Sequence, residues 1–135
     1  MNLSCRRLAT LFAALCWSLS THAQSFPSKP VRIVIPFAPG GSTDANARII
    51  QDKLSTLWGQ PVIVEAKPGA NTVIGTELVA KAPGDGHTLL LTSTALVVNP
   101  SMYAKLPYDT LNDLVPITLV SVSPFALVKI GRAHV

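Results

Sequence analysis

The 135-residue sequence predicts an α/β domain built on a parallel β-sheet. Short runs rich in β-branched residues alternate along the chain with segments whose apolar residues recur at helical spacing. The predicted strands are almost continuously apolar, which is typical of a sheet covered by helices on both faces. Because strand and helix alternate, we expect right-handed crossovers between parallel strands.

The first strand and the first helix are predicted on either side of a glycine-rich turn. Val31–Ile35 is dominated by β-branched residues and predicts a buried strand. Apolar residues then recur at helical spacing over residues 45–58, and Gly59 follows at the position where glycine commonly ends a helix. The N-cap candidates of this helix are Ser42, Thr43 and Asp44.

The same pattern is repeated in the next sixty residues. Residues 61–65 predict a second strand, and Asn71 or Thr72 is expected to cap a helix that ends near Ala82. A tight turn at residues 83–86 leads to a third predicted strand at 88–92. The remaining predictions are a short helix opened by Ser93 and Thr94 and stopped before Pro100, a helical turn at 110–114, a fourth strand at 117–122 and the start of another at 125–128.

Residues 1–23 have the features of a secretory signal peptide. Arg6 and Arg7 precede an apolar run over residues 8–19, which is shorter than the roughly 20 residues that a membrane-spanning helix needs. Small residues lead to a cleavage point after Ala23, so we expect the mature chain to begin at Gln24. Two alternatives are an uncleaved membrane anchor and export by the twin-arginine route, for which the paired arginines are a weak signal.

The residues after the export segment are formally neutral, although the whole chain carries a net charge of +4. Seven basic and seven acidic residues lie in 24–128, and a neutral body without a basic patch argues against a nucleic-acid partner. Both cysteines, Cys5 and Cys16, lie in the export segment, so the mature chain is expected to have no disulfide and no cysteine metal site. P-loop and dinucleotide fingerprints are also missing, and we predict no cofactor and no metal.

Three short polar turns are predicted at the carboxyl edge of the sheet, where ligands bind in open α/β proteins. Each turn opens a helix, whose free N–H groups and positive dipole end attract anions. For one turn alone, ordinary capping is the more common role, whereas three turns at one edge make an anion site an equal alternative. The candidate residues are Gly40, Gly41, Ser42, Thr43 and Asp44 after the first strand, Gly69, Ala70, Asn71 and Thr72 after the second, and Ser93 and Thr94 after the third.

Two other classes of function remain open from the residues alone. A small α/β hydrolase or transferase could use Ser42 or Asp44, but the G-x-S-x-G nucleophile elbow is missing and a capping role suits Asp44 better. His87 is the only histidine between residues 24 and 128, and its place beside a tight turn favours an ordinary surface role. The other class is a structural or signalling module.

Residues 27–44, with the pattern P-x-K-P-V-R-I-V-I-P-F-A-P-G-G-S-T-D, and the following Arg48 resemble the Bug family. These proteins are extracytoplasmic solute receptors of tripartite tricarboxylate transporters. Three further stretches fit the family pattern: K-P-G-A at 67–70 with Gly75, A-x-x-D-G-H-T-L at 82–89, and L-P-Y-D at 106–109 followed by D-L-V-P-I at 113–117.

The resemblance implies a periplasmic, non-enzymatic binding protein of the type II fold, with two Rossmann-like lobes that close on a small organic carboxylate. The ligand is expected to pass to membrane subunits of the transporter. Family members bind the carboxylate largely through main-chain and small polar groups, often with bridging waters. Carried onto this chain, the resemblance adds Phe37 and Ala38 to the candidate contacts in residues 37–44, retains Gly69 to Thr72, and makes Ser93 and Thr94 the third contact.

The resemblance also divides the chain. Family members are much longer, so we expect residues 24–128 to form an N-terminal ligand-binding lobe of an incomplete protein, truncated before the second lobe. Residues 129–135 do not fit the family and resemble translated adapter sequence, the alternative being a divergent terminal strand. A single lobe presents half a cleft, so we expect weak carboxylate binding at most and a tendency to aggregate.

Overall fold

The computed structural model describes residues 25–124 and Leu127. The predicted export segment at 1–23, the predicted tail at 129–135 and the strand start at Phe125, Ala126 and Val128 lie outside the described residues. The described elements are the strands β1 (Val31–Ile35), β2 (Val62–Ala66) and β3 (Thr88–Leu90), and the helices α1 (Ser42–Trp58), α2 (Val73–Ala80) and α3 (Ala95–Met102).

The strand β1 is the centre of a parallel sheet of order β2-β1-β3, which confirms the predicted fold class. Its residue Ile33 lies opposite Val64 of β2 and Leu89 of β3. The pairing extends past the strand ends, because the N–H of Lys67 donates to the carbonyl of Ile35 at 2.8 Å. Because the three strands are parallel, the polypeptide leaves each of them at the same edge of the sheet.

The core lies mainly between β1 and α1. Val31 and Ile35 are fully buried and pack with Ala47 of α1, and the apolar face of that helix (Ile50, Leu54 and Trp58) covers the cluster. The helix α2 packs on β1 and β3. Since β2 and β3 lie on opposite sides of β1, right-handed crossovers place α1 and α2 on opposite faces of the sheet.

The start of α1 differs from the sequence prediction. The helix begins at Ser42 and its N-cap is Gly41, so the prediction that Ser42, Thr43 or Asp44 caps it is wrong. The carboxylate of Asp44, in the first turn, accepts the N–H of Gly40, and this bond draws the helix start to an earlier residue. At the other end Gly59 is left-handed with φ 61°, as predicted.

The helix α3 continues through Pro100 to Met102, although the sequence predicts an end at Val98. The residue before a proline normally avoids the helical conformation. Here Asn99 is fully buried and its side chain is hydrogen-bonded to the turn before α2, which holds its backbone in the helix. Tertiary bonds therefore override the local rule.

The predicted fourth strand at 117–122 is not formed in the part of the chain that the structure describes. A strand needs a ladder partner, and this segment pairs with neither β2 nor β3. Its side chains Ile117, Leu119 and Val122 are 76–79% exposed. The predicted helical turn at 110–114 is present as a bond from the N–H of Asp113 to the carbonyl of Asp109.

Candidate functional site

Three loops lie at the carboxyl edge of the sheet. We define loop 1 as residues 37–44 after β1, loop 2 as residues 67–72 after β2, and loop 3 as residues 91–94 after β3. The edge is shared because all strand pairs are parallel. Of the candidate residues, Asp44 and Thr72 are buried, Phe37, Thr43 and Gly69 are half-buried, and Ala38, Gly40, Gly41, Ser42, Ala70, Asn71, Ser93 and Thr94 are exposed.

The buried carboxylate of Asp44 organises loop 1. Its Oδ2 atom accepts the backbone N–H of Gly40 at 3.0 Å and the Nε–H of Arg48 at 3.1 Å. The Arg48 bond, followed by the Gly40 bond, lowers the pKa of Asp44, so the group is ionised at neutral pH. Gly40 adopts a φ of 90°, which only glycine takes up without strain. The carboxylate of Asp44 therefore fixes the turn.

Loop 2 has an unusual backbone. Gly69 has a φ of 138°, and the next three residues, Ala70, Asn71 and Thr72, have φ values of 46°, 50° and 76°. The left-handed conformation costs roughly 1–2 kcal/mol per residue for side chains other than glycine. Thr72 is also β-branched, for which a positive φ is a clear outlier. Such a run persists only where neighbouring groups hold it in place.

Asn99 of α3 holds loop 2. Its Nδ2 donates to the carbonyl of Asn71 at 2.9 Å and to the hydroxyl of Thr72 at 3.2 Å. Its Oδ1 accepts the side-chain amide of Asn71 at 2.8 Å. Asn99 is not among the residues predicted from the sequence; the available signal was a polar residue at the end of the apolar run before Pro100.

The three helices that begin at this edge have no side-chain cap. Gly41, Thr72 and Thr94 occupy the N-cap positions of α1, α2 and α3, and none of them makes a side-chain capping bond. The expectation that Asn71 or Thr72 caps α2 is therefore correct for the position of Thr72 but wrong for the bond. The N–H groups of Val73, Leu96 and Val97 already donate to the carbonyls of the turns before them, at 3.1 Å. Those of residues 42–44, 74, 75 and 95 have no backbone acceptor within the described residues.

Loop 2 lies against both neighbouring segments. At the start of α2, a Cβ atom on Gly75 would lie 2.8 Å from the Lys67 carbonyl oxygen and 2.8 Å from Cβ of Pro36, which precedes loop 1. On its other side, loop 2 is joined to α3 through Asn99. The start of α2 thus lies against the segment that leads into loop 1, and loop 2 is bonded to α3, while Ser93 and Thr94 make no side-chain bond to loops 1 or 2.

The residues that could take part in acid–base or nucleophilic chemistry lie apart from one another. His87 lies next to the start of β3, at the opposite edge of the sheet from Ser42. Within residues 25–124, no three His, Cys, Asp or Glu side chains are grouped so as to hold a metal ion. Two concavities, of about 300 and 490 Å³, are lined by residues around His87 and around Tyr108, away from the candidate residues. No helix within residues 25–124 is long and apolar enough to cross a membrane.

Comparison with known proteins agrees with the resemblance. Residues 46–133 match the model of the TctC family, described as "Tripartite tricarboxylate transporter family receptor". A relative from Pseudomonas sp., a UPF0065 protein in the tcbD-tcbE intergenic region, is 45% identical over 130 residues, which are 94% of this chain and 39% of the relative. The chain thus spans about two fifths of that relative's length.

Two solved structures share the fold. The periplasmic binding protein BugD is 39% identical with a TM-score of 0.62, over 65% of this chain and 29% of BugD. A protein of R. palustris solved with adipate is 34% identical with a TM-score of 0.60, over 63% of this chain and 29% of that protein. Since the family model covers well over half of its residues, the chain belongs to the Bug/TctC family of tripartite tricarboxylate transporter receptors.

Proposed function

We propose that this chain is the ligand-binding part of a periplasmic receptor that captures a small organic carboxylate for a tripartite tricarboxylate transporter. In this proposal residues 24–128 form one lobe, residues 129–135 are a non-native tail, and the membrane subunits of the transporter receive the ligand. The matched chain is 39% of the length of its Pseudomonas relative, and a second lobe would supply the rest of the cleft.

The observation that carries the proposal is the set of uncapped helix starts around loops 1, 2 and 3. A carboxylate oxygen can accept the N–H groups of these first turns that have no backbone acceptor, and each bond to a charged group contributes about 1.5–3 kcal/mol. The candidate contacts are Phe37, Ala38, Gly40, Gly41, Ser42, Thr43, Asp44, Gly69, Ala70, Asn71, Thr72, Ser93 and Thr94.

The ligand class follows from the same geometry and from one neighbour. The described loops offer small side chains and main-chain donors, which suit a carboxylate, and the R. palustris neighbour was solved with adipate. The charge of residues 24–128 is formally zero, so attraction would come from the local N–H groups. A non-enzymatic role fits Asp44, whose Oδ2 atom is engaged by Gly40 and Arg48, while its buried Oδ1 atom has no partner within the described residues.

Thermal unfolding of the purified chain with a panel of anions tests the proposal. Adipate is compared with adipamide, which has the same length and no charge, at equal ionic strength. A ligand present at ten times its dissociation constant stabilises by about 1.4 kcal/mol, which raises the midpoint of a domain of this size by roughly 5 °C. Equal midpoints with adipate, citrate, acetate and adipamide would contradict the proposal.

A further inference from the structure

We infer that Asn99 is a positioning residue for the carboxylate site, which it serves from α3 by holding loop 2 and by keeping the hydroxyl of Thr72 away from the start of α2. The inference rests on the proposed function, because it concerns the same loops. It assigns to Asn99 a role in binding without contact with the ligand.

The hydrogen bonds of Asn99 fix the orientation of its side-chain amide. The residue is fully buried. Both hydrogens of its amide are used, one on the carbonyl of Asn71 and one on the hydroxyl of Thr72, at 2.9 and 3.2 Å. Its oxygen accepts the amide of Asn71 at 2.8 Å, so a rotated amide would oppose donor to donor. The amide thus joins loop 2 to α3 at three points.

The bond to Thr72 has a consequence for α2. A threonine at an N-cap position normally has an extended backbone, and its hydroxyl oxygen accepts an N–H of the first turn. Thr72 has a φ of 76°, and its oxygen accepts Asn99 instead. Without Asn99, Thr72 could relax to the extended conformation and cap α2. The hydroxyl would then occupy an N–H group that a ligand carboxylate would otherwise bind.

No other side chain in the described residues duplicates this bonding. The hydroxyl of Tyr103 reaches the carbonyl of Ala70 only at 3.4 Å, which is a long contact for such a group. Leucine at position 99 fills a similar volume but neither donates nor accepts. Alanine at the exposed Asn71 removes the 2.8 Å bond while leaving the core unchanged.

The test compares the wild-type chain with Asn99→Leu, Asn71→Ala and the control Asn112→Leu. Asn112 is an exposed asparagine that binds Asp109, outside the candidate loops. Two properties are measured by NMR below the unfolding temperature: the dissociation constant for adipate, and the one-bond Cα–Hα couplings of Ala70 and Thr72, which distinguish positive from negative φ. Thermal midpoints of all four proteins show how far each change affects stability alone.

We expect the dissociation constant to rise about tenfold or more in Asn99→Leu and by less in Asn71→Ala, because a preorganised loop is lost. The couplings should report negative φ at Thr72 in Asn99→Leu, and Asn112→Leu should stay within twofold of wild type. Wild-type affinity or a retained positive φ at Thr72 in Asn99→Leu would overturn the inference. If Asn99→Leu does not fold, wild-type affinity in Asn71→Ala would overturn it. If the wild-type chain does not prefer adipate to adipamide, the proposed function fails, whereas the couplings still decide whether Asn99 holds loop 2.

Discussion

Gly75 shows at the scale of one residue how the candidate site is held together. It lies in the first turn of α2, where a Cβ atom would be 2.8 Å from the Lys67 carbonyl oxygen and 2.8 Å from Cβ of Pro36. These neighbours are a backbone carbonyl and a rigid proline ring, so displacing either of them costs free energy. The absence of a side chain lets α2 begin directly against the segment that leads into loop 1.

Substitution of Gly75 by alanine should destabilise the protein by about 1–2 kcal/mol, since the steric cost of overpacking exceeds the gain in helix propensity. The control is Gly84→Ala, because a Cβ atom there meets nothing within 4 Å. Urea unfolding of both variants measures the difference. Equal free energies of unfolding in Gly75→Ala and Gly84→Ala would contradict the close approach.

Asp85 gives a residue-scale prediction on pH. Its Oδ2 lies 2.7 Å from Nζ of Lys29, and its Oδ1 accepts the N–H of His87. The Lys29 bond is the main cause that lowers the pKa of Asp85 from 3.8 to about 2. A carboxyl group whose pKa is lowered by folding stabilises the protein above its unfolded value, and this contribution is lost as pH falls through the folded value.

We therefore expect Lys29→Met to lower the urea midpoint relative to wild type at pH 5–7, with a difference that closes between about pH 4 and pH 2. Because Lys29 is more than half exposed, the difference should be small and should shrink in high salt. Lys53→Met is the control, since Lys53 is exposed and makes no ion pair in the described structure. A Lys29→Met difference that persists unchanged at pH 2 would argue against the assignment.

At the scale of elements, segment 115–122 is the least covered apolar part of the described structure. Val115, Leu119 and Val122 are each 78–86% exposed, and residues 117–122 combine β-branched side chains with no charge and no proline. Such six-residue segments readily pair with copies of themselves when they are exposed. The segment is therefore expected to drive self-association of the purified chain.

Leu119→Lys should reduce the rate of aggregation at least severalfold, while the free energy of unfolding changes by no more than about 0.5 kcal/mol. Leu57→Lys is a matched control, because Leu57 is 76% exposed but lies on the regular helix α1. Light scattering over time at equal concentrations measures both. Aggregation slowed as much by Leu57→Lys as by Leu119→Lys would show that added charge, and not the segment, is responsible.

The sequence predicts most of the elements because their signals are local. The apolar run at Val31–Ile35 and the helical spacing before Gly59 predict β1 and α1 within a few residues. The failures depend on distant partners. Residues 117–122 have strand propensity but no ladder partner in the described structure, and Pro100 stays in α3 because Asn99 is bonded to loop 2.

In the candidate site, too, the features with local signals could be predicted and those that depend on other residues could not. Its location at one edge of the sheet follows from the alternation of strand and helix, which the sequence displays. The details of the helix starts could not be predicted from the sequence, because Asp44 binds Gly40 and Thr72 binds Asn99 where local preference predicts capping bonds. Capping propensity describes an isolated helix and cannot account for a competing partner outside that helix.

At the scale of the whole molecule, the account predicts a processed and exported protein. The sequence predicts an export signal at residues 1–23, so we expect the mature chain recovered from the periplasmic fraction to begin at Gln24. Mass spectrometry of the intact protein measures the mass lost. A periplasmic form that retains Met1, or a chain found only in the cytoplasm, would contradict this prediction.

The proposed function requires that the first turns of α1, α2 and α3 bind one carboxylate through their unpaired N–H groups. An NMR titration of the ¹⁵N-labelled chain with adipate tests it residue by residue. We expect the amide signals of the unpaired N–H groups, at residues 42–44, 74, 75 and 95, to shift together and saturate with a single dissociation constant, while adipamide leaves them unchanged. Shifts confined to the residues around His87 or Tyr108, or equal shifts with adipate and adipamide, would contradict it.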